Sequence, residues 1–272
     1  MIADYHTHTN LCKHATGDTE EYVLRALELG LDEIGCSDHA PLSDGFDERH
    51  RMSVDQYYSL YAPSVSALTE KYKNRIRIKR GIECDYLDRA IEWTRKFVAG
   101  NDFDFVIGSV HFVGTNREET DLFGPTQEPS KFEALYEAYY KAIAESAKSG
   151  MFDIIAHCDL IKKIGPFSSK RVDELIREAM IQIKHADLCI EINTSGLRKP
   201  EKEIYPAERV LLNARDLRIP LVLGSDAHKP EDVGRDFDRA IALVETYGRG
   251  KVALFDKRQR SEVWVSKTRG AK

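Results

Sequence analysis

No stretch of this chain comes near the roughly 18 to 20 consecutive apolar residues of a membrane span. The start, Met1-Ile2-Ala3-Asp4-Tyr5-His6, lacks the basic region and apolar segment of a secretory signal, so a cytoplasmic protein with no membrane partner is expected. Five cysteines, Cys12, Cys36, Cys84, Cys158 and Cys189, form no C-x-x-C pair and are odd in number. That suits a reducing compartment better than a disulfide framework. Basic excess is missing too. The formal net charge is −5, which gives no overall attraction to nucleic acid, so an anionic substrate would be held by local charge. There is no linker, repeat or low-complexity tract, and 42% hydrophobic residues over 272 positions suffice for one large core. None of these numbers sets an oligomeric state.

What is present is an alternation. Strand-like runs fall at residues 2–6, 33–37, 75–84, 103–110, 152–157, 188–193 and 220–225. Helical patterns lie between them, at 19–29, 54–72, 89–97, 130–148, 171–185, 206–215 and 231–247. Asp18 or Thr19 ahead of Glu20-Glu21, and Ser130 with Glu133 three residues on, read as helix starts. Seven strand–helix units without interruption predict an α/β protein, one closed, barrel-like domain over 1–272 with helices outside a parallel sheet. An open doubly wound sheet is the competing arrangement, but no Gly-rich phosphate loop follows the first strand. The tail, 251–265, is expected to add an edge strand or wrap the outside. Residues 40–53 are charged and aperiodic and follow the second strand, so they read as an active-site loop at the C-terminal face.

Side chains along a strand alternate faces, so His6 and His8 point the same way, one strand step apart. Ligand-type residues recur at the end of every later run: Asp38 and His39, Glu83, His111, His157 and Asp159, Asn193 and Ser195, Asp226 and His228. Six of the nine histidines sit at such ends, and only His14, His50 and His185 lie elsewhere. A barrel brings all those ends to one face. By itself His39 reads equally well as part of a capped turn and His111 as a core histidine. Glu83 is harder to dismiss, because a buried acid needs a charge partner. Asp226-Ala227-His228 repeats the two-residue step of His6-Thr7-His8. Mixed imidazole and carboxylate donors suit zinc, manganese or iron, and this set exceeds what one tetrahedral ion needs, so two to three divalent ions are implied. Cys36, Cys84 and Cys158 have the opposite parity to His39, Glu83 and His157 and are expected to pack under the helices. Tyr57, Tyr58 and Tyr61 read as core, His185 as surface, and His50 as at most a weak substrate contact.

The pattern His6-Thr7-His8, His14, Asp38-His39, Gly81-Ile82-Glu83, His111, His157 and Asp226-Ala227-His228 resembles the polymerase and histidinol phosphatase (PHP) family, in order and from residue 2 to about 247. Within it, Gly108-Ser109-Val110-His111, the run Glu191 to Lys199 and the insertion after His39 resemble the L-histidinol-phosphate phosphatases of histidine biosynthesis. The resemblance implies a distorted seven-stranded (β/α) barrel, TIM-barrel-like, with a trinuclear metal site at the C-terminal strand ends. By motif, His6, His8, Glu83 and Asp226 would hold one ion. Glu83 as a bridge, with His111 and His157, would hold a second, and His14, His39 and His228 a third. The implied reaction is hydrolysis of a small phosphomonoester, L-histidinol phosphate, by hydroxide held between metals. Arg198 is expected to be catalytic and substrate-binding on the phosphoryl oxygens, Arg117 a second substrate contact, and either Asp159 or a metal-bound water the donor of the leaving group's proton. No serine sits in a nucleophile elbow. Competing readings are a family member acting on nucleotides or nucleic acid, and a metal-binding protein without turnover.

Overall fold

The computed structural model describes residues 1–115, 118–125 and 127–266. Its strands in chain order are β1 (Ala3–Asp4), β2 (Glu33–Cys36), β3 (Arg77–Asp85), β4 (Phe105–Ser109), β5 (Phe112–Thr115), β6 (Glu118–Asp121), β7 (Ile154–Ile155), β8 (Cys189–Asn193), β9 (Leu221–Gly224), β10 (Lys251–Asp256) and β11 (Gln259–Trp264). Seven of them form one parallel sheet in the order β1-β2-β3-β4-β7-β8-β9. The sheet curls until its two edges meet. Tyr5 N–H donates to the Leu223 carbonyl at 3.0 Å, His8 N–H donates to the Ala227 carbonyl at 2.9 Å, and Thr7 bridges Ala227 in parallel. The result is the expected barrel with helices outside; among the described residues no helix is long and apolar enough to cross a membrane.

Alternation along the strands divides the core in two. Outward residues such as Ile34, Cys36, Ile82, Cys84, Val106, Cys158, Ile190 and Ile192 pack under the helices. Inward residues form a smaller cluster of Ala3, Tyr5, Phe105, Ile107, Ile154, Ala156, Cys189 and Val222. Phe105 fills the lower barrel, and Gly81 opposite it has to be glycine, since a Cβ there would come within 2.2 Å of the Phe105 ring. The lower end is then stoppered by the β10–β11 hairpin, whose Ala253, Leu254 and Phe255 join this inner cluster. Phe255 N–H donates to Tyr5 Oη, while Arg258 pairs with Asp153 and Arg260 with Asp187, two acids that precede β7 and β8. The tail is therefore neither an edge strand of the sheet nor an outer wrap. It is a plug: Ala253, Leu254 and Phe255 are buried in the inner cluster at the barrel floor.

Three predicted elements are broken where chemistry forbids regularity. The helix expected over 54–72 carries a π turn, Tyr57–Tyr61, ahead of Ala62–Tyr72. Pro63 has no amide proton to continue the ladder, and Ala62 N–H instead reaches back to the Tyr57 carbonyl. Tyr57 and Tyr61 are core residues as expected, but Tyr58 is exposed. The helix expected from 231 starts only at Phe237, because Gly234 and Asp236 take left-handed φ of 63° and 60° and Gly234 N–H is drawn to Asp4 Oδ2. Ser130 caps nothing; a 3-10 turn, Pro129–Lys131, leads into the helix at Phe132. The β5–β6 hairpin after His111 was not anticipated.

The plug makes a stability prediction. Phe255→Ala removes a buried ring at the end opposite the histidines and should cost about 3 to 5 kcal/mol. That is on the order of 10 °C in Tm. Calorimetry should show this drop with metal content unchanged; a Tm within a degree or two of the parent would mean the hairpin does not close the barrel.

Candidate metal centre

Regular pairing in β1 stops at Asp4, and inward alternation is interrupted just after it: Tyr5 touches Phe105 and Phe255, while His6 already faces the barrel mouth. His6 and His8 do share a side, their rings 4.9 Å apart. Glu83 enters from β3, two residues above Gly81, and is 1% exposed. His157 and Asp226 follow β7 and β9 in left-handed backbone, with φ of 23° and 50°. Such conformations cost non-glycine residues of order 1–3 kcal/mol and persist where the surroundings enforce them. At His157 the turn brings to the mouth a side chain that strict alternation would send to the helices.

Around Glu83 the imidazoles converge. His6 Nε2 is 3.4 Å from Oε1, His157 Nε2 3.3 Å and His111 Nε2 3.6 Å, while His8 Nε2 is 3.5 Å from Oε2. His39 Nδ1 is 2.8 Å from Oε2 but off the hydrogen-bonding direction, so neither atom is satisfied by the other. Asp226 Oδ1 lies 3.3 Å from His8 Nε2 and 3.9 Å from His6 Nε2. Five sets of donors among the described residues fall within 4.8 Å of one another, among them His6, His8 and Asp226; His6, Glu83 and His157; His14, His39 and His228; and His8, Cys12 and His39. His111 falls instead with His39 and Asp85.

Do these residues fit cations? Of twelve buried side-chain atoms without a hydrogen-bond partner among the described residues, five, His6 Nε2, His8 Nε2, His39 Nδ1, Glu83 Oε2 and His157 Nδ1, belong to this centre. Buried polar atoms are rarely left so. His14 and His228 say the same. Each gives Nδ1–H to a carbonyl, of Cys12 and Asp226 respectively, which leaves two Nε2 lone pairs facing at 2.9 Å. Only a proton or a cation between them relieves that. Protonation states agree at four of the imidazoles; at His6 burial would lower the pKa, but the carboxylates of Glu191, Glu83 and Asp226 raise it well above the usual range. Burial, with the neighbouring imidazoles, lowers the pKa of His8, His14 and His228, and burial outweighs Glu83 to lower that of His39. Burial alone would raise Glu83 and Asp226, but the surrounding imidazoles hold both well below the usual carboxylate range. Neutral imidazoles and ionised carboxylates are the metal-binding forms. The residues fit.

A second layer orients the first. Burial would lower His111, but Asp85, 2.7 Å from its Nδ1, raises it to about 9. Asp85 also accepts from Arg51 Nη2, whose Nη1 donates to the Ala40 carbonyl, so the 40–53 loop is clamped to β3. Cys12 donates its thiol proton to Asp38, which also accepts from Thr9, and its Sγ lies 3.4 Å from His8 Nδ1. Glu191 on β8 takes His6 Nδ1 at 2.7 Å. Of these, Asp85 and Glu191 carried a sequence signal, the same two-residue step past Glu83 and before Asn193. Arg51 and Cys12 carried none.

A cavity of about 280 Å³ opens over the donors, walled also by Arg51, Asp121, Phe123, Ser195 and Lys199. Two expected contacts, Arg198 and Asp159, do not face the cavity. Arg198 does not line the cavity; it donates Nη2 to the Ser225 carbonyl and its Nε is 3.5 Å from Asp232, so it braces the backbone before Asp226. Asp159 is likewise behind the wall, its Oδ2 accepting from Ala207 N–H and paired with Lys162, so it is not placed to protonate a leaving group. Arg117 lies outside the described residues. His50 does line the cavity, against Asp47, and His185 is on the surface.

Comparison with known proteins agrees with this geometry. The PHP domain matches residues 4–195. A probable histidinol-phosphatase of Deinococcus radiodurans is 35% identical over 258 residues, 95% of this chain and 98% of the relative. The histidinol-phosphatase of Bacillus subtilis is 30% identical, over 86% and 96%. A solved structure from Listeria monocytogenes, to which a histidinol phosphatase activity has been ascribed, superposes with TM-score 0.80 at 30% identity, over 87% of this chain and 99% of that one. The Lactococcus lactis histidinol phosphate phosphatase, solved with zinc, L-histidinol and phosphate, shares the fold at TM-score 0.78 and 22% identity, over 96% and 98%.

Loading with zinc should raise Tm by on the order of 10 °C at a thousandfold excess over Kd. For chelated protein the sign follows from the shifts. His8, His14, His39 and His228 are lowered, so the unfolded chain takes up their protons first and stability falls as pH drops below about 6.5. His111 is raised, so its contribution is full below about 6.5 and is lost as pH rises through about 9. Calorimetry of both forms from pH 5 to 9 checks this; equal melting of zinc-loaded and chelated protein at pH 7.5 would count against a metal centre.

Proposed function

The chain belongs to the PHP domain family, and from that premise we propose that it is a metal-dependent phosphomonoesterase hydrolysing L-histidinol phosphate to L-histidinol and phosphate, a step of histidine biosynthesis. The observation that carries the reading is the shell of unsatisfied imidazole and carboxylate atoms under a cavity of about 280 Å³. A cavity of that size takes a small ester rather than a polynucleotide strand. The cofactors are two to three divalent ions, of zinc, manganese or iron. His6, His8 and Asp226 with Glu83 would hold one, Glu83 with His157 and His111 another, and His14, His39 and His228 a third. When bound, such ions supply a nucleophilic water at neutral pH and positive charge toward the phosphoryl oxygens.

The chain's own residues do the rest. Glu83 presents Oε1 to His6, His157 and His111 and Oε2 to His8 and His39, so it would be shared between the donor sets. Lys199 projects into the cavity wall beside His228 and has no ion-pair partner among the described residues. It meets the phosphoryl oxygens, the role first expected of Arg198. Arg198 holds the Ser225 carbonyl, and Ser195 gives its hydroxyl proton to Asp226 Oδ2, so the β9 terminus cannot rotate away. Across the mouth, Asp121 offers a carboxylate to the substrate's ammonium group, and Phe123, half exposed, offers a ring face to its imidazole. The Arg51–Asp85 pair keeps the 40–53 loop down and bulk water out. Five buried free thiols suit the reducing cytoplasm.

Two outcomes check the reading. With zinc or manganese added, kcat/KM for L-histidinol phosphate should exceed that for a nucleotide monophosphate and a sugar phosphate by at least about a hundredfold, the scale of two polar contacts at about 1.5 kcal/mol each. Equal rates on all three would leave a phosphatase of different substrate, and no phosphate release at all would leave a metal-binding protein. Lys199→Met should lower kcat/KM about 10- to 100-fold with metal content intact, since one charge-assisted contact is worth about 1.5 to 3 kcal/mol. If Arg198→Met loses more than Lys199→Met while β9 keeps its geometry, the phosphate contact belongs to Arg198 after all.

A further inference from the structure

Glu191 is a buried carboxylate, 1% exposed, whose partners are all neutral or imidazole donors. Oε1 lies 2.7 Å from His6 Nδ1, and Oε2 accepts the His157 amide proton at 3.0 Å and Asn193 Nδ2 at 3.0 Å. His6 follows β1 and Glu191 is on β8, with β9 between them where the sheet closes. The carboxylate crosses β9 at Gly224, where a Cβ would meet Glu191 Oε1 at 1.8 Å and His6 Cβ at 2.8 Å. His157, the other residue it holds, has the least favourable backbone among the candidate donors, φ 23°. Tyr139 Oη donates to the His157 carbonyl at 3.0 Å, so both sides of that residue are pinned, but only Glu191 links it to a second donor.

We propose that Glu191 is a positioning residue that sets two donors with one carboxylate: it commits His6 to bind through Nε2, and it holds the His157 backbone in the turn that brings its imidazole to Glu83. The set His6, Glu83 and His157 is thereby assembled before an ion arrives. A glutamate is needed, since a neutral amide has one acceptor oxygen for what are here two opposed demands, an imidazole N–H and a backbone N–H. Groups that fix metal-binding imidazoles in this way are commonly worth 10- to 100-fold in metal affinity. Gly224 is the sequence feature that permits the contact.

The inference rests on the metal reading above, and the test separates the two. Zinc-loaded full-length protein is examined by ¹H–¹⁵N spectra of its histidine rings, with His6 assigned by its loss in His6→Gln, and zinc affinity is measured by chelator competition. In the unmodified protein His6 should carry a slowly exchanging, strongly downfield Nδ1 proton and bind zinc through Nε2. In Glu191→Gln either that proton should move upfield or the His157 amide should exchange faster, with zinc affinity 10- to 100-fold lower. Gly224→Ala keeps the charge but displaces the carboxylate, and should give the same losses if Glu191→Gln does not fold. Unchanged His6 and His157 protons or unchanged zinc affinity in a folded variant overturns the proposal, as does a His6 bound through Nδ1 in the unmodified protein, for which no variant is needed. Failure of the unmodified protein to bind zinc, manganese or iron would instead overturn the metal reading, and this inference with it.

Discussion

A carboxylate that is 1% exposed has to be answered by positive charge, and at Glu83 the answer is a ring of five imidazoles. Burying it unpaired would cost several kcal/mol, enough to consume much of a domain's net stability. Histidines alone answer it poorly, because protonating five rings at these separations sets them against one another. Hence burial, with the neighbouring imidazoles, lowers His8 and His39 in this ring, and atoms are left unsatisfied. The centre is a place where the chain accepts local instability that bound cations remove.

That instability is confined to one end of the barrel. Below Glu83 the interior is dry, with Phe105 against Gly81, Tyr5 against Phe105, and the β10–β11 hairpin beneath. The floor can be closed by apolar burial because it binds nothing. The mouth can be strained at His157 and Asp226 because the floor and the outer helical layer supply the stability that strain costs. Between the two layers the strands are rigid, and rigid elements hold ligand geometry better than loops do.

The second layer explains why the loops are not free to vary independently. Arg51 belongs to the 40–53 insertion, yet its guanidinium ends on Asp85, which orients His111. Cys12 belongs to the loop after β1, yet its thiol joins Asp38 to His8. These two loops therefore wall the cavity and also adjust a donor, so loop closure and donor geometry are parts of one hydrogen-bonded network.

Much of this was legible in the amino-acid order. The two-residue step in His6-Thr7-His8 and Asp226-Ala227-His228, and the acid after Gly81-Ile82, follow from strand periodicity, which is local. So do the seven strand–helix units and the outward packing of Cys36 and Cys84, whereas Cys158 packs outward only because the chain breaks alternation at His157. What stayed hidden depends on where distant segments meet. Nothing in the run Leu197-Arg198-Lys199 says which cation turns inward; the 3-10 turn over Thr194–Arg198 and the Ser225 carbonyl decide it, and they place Lys199 at the cavity and Arg198 behind it. Asp159 follows His157 by the same two-residue step as the others, but His157's left-handed φ breaks the alternation and sends Asp159 to Lys162 and Ala207. The tail's apolar triplet could not announce a floor to plug. Periodicity determined which residues share a face, because side-chain direction along a strand is fixed by covalent geometry. Closure of the sheet decided which faces meet, because the contacts of Glu191 with His6 across Gly224 exist only once β9 and β1 are brought edge to edge.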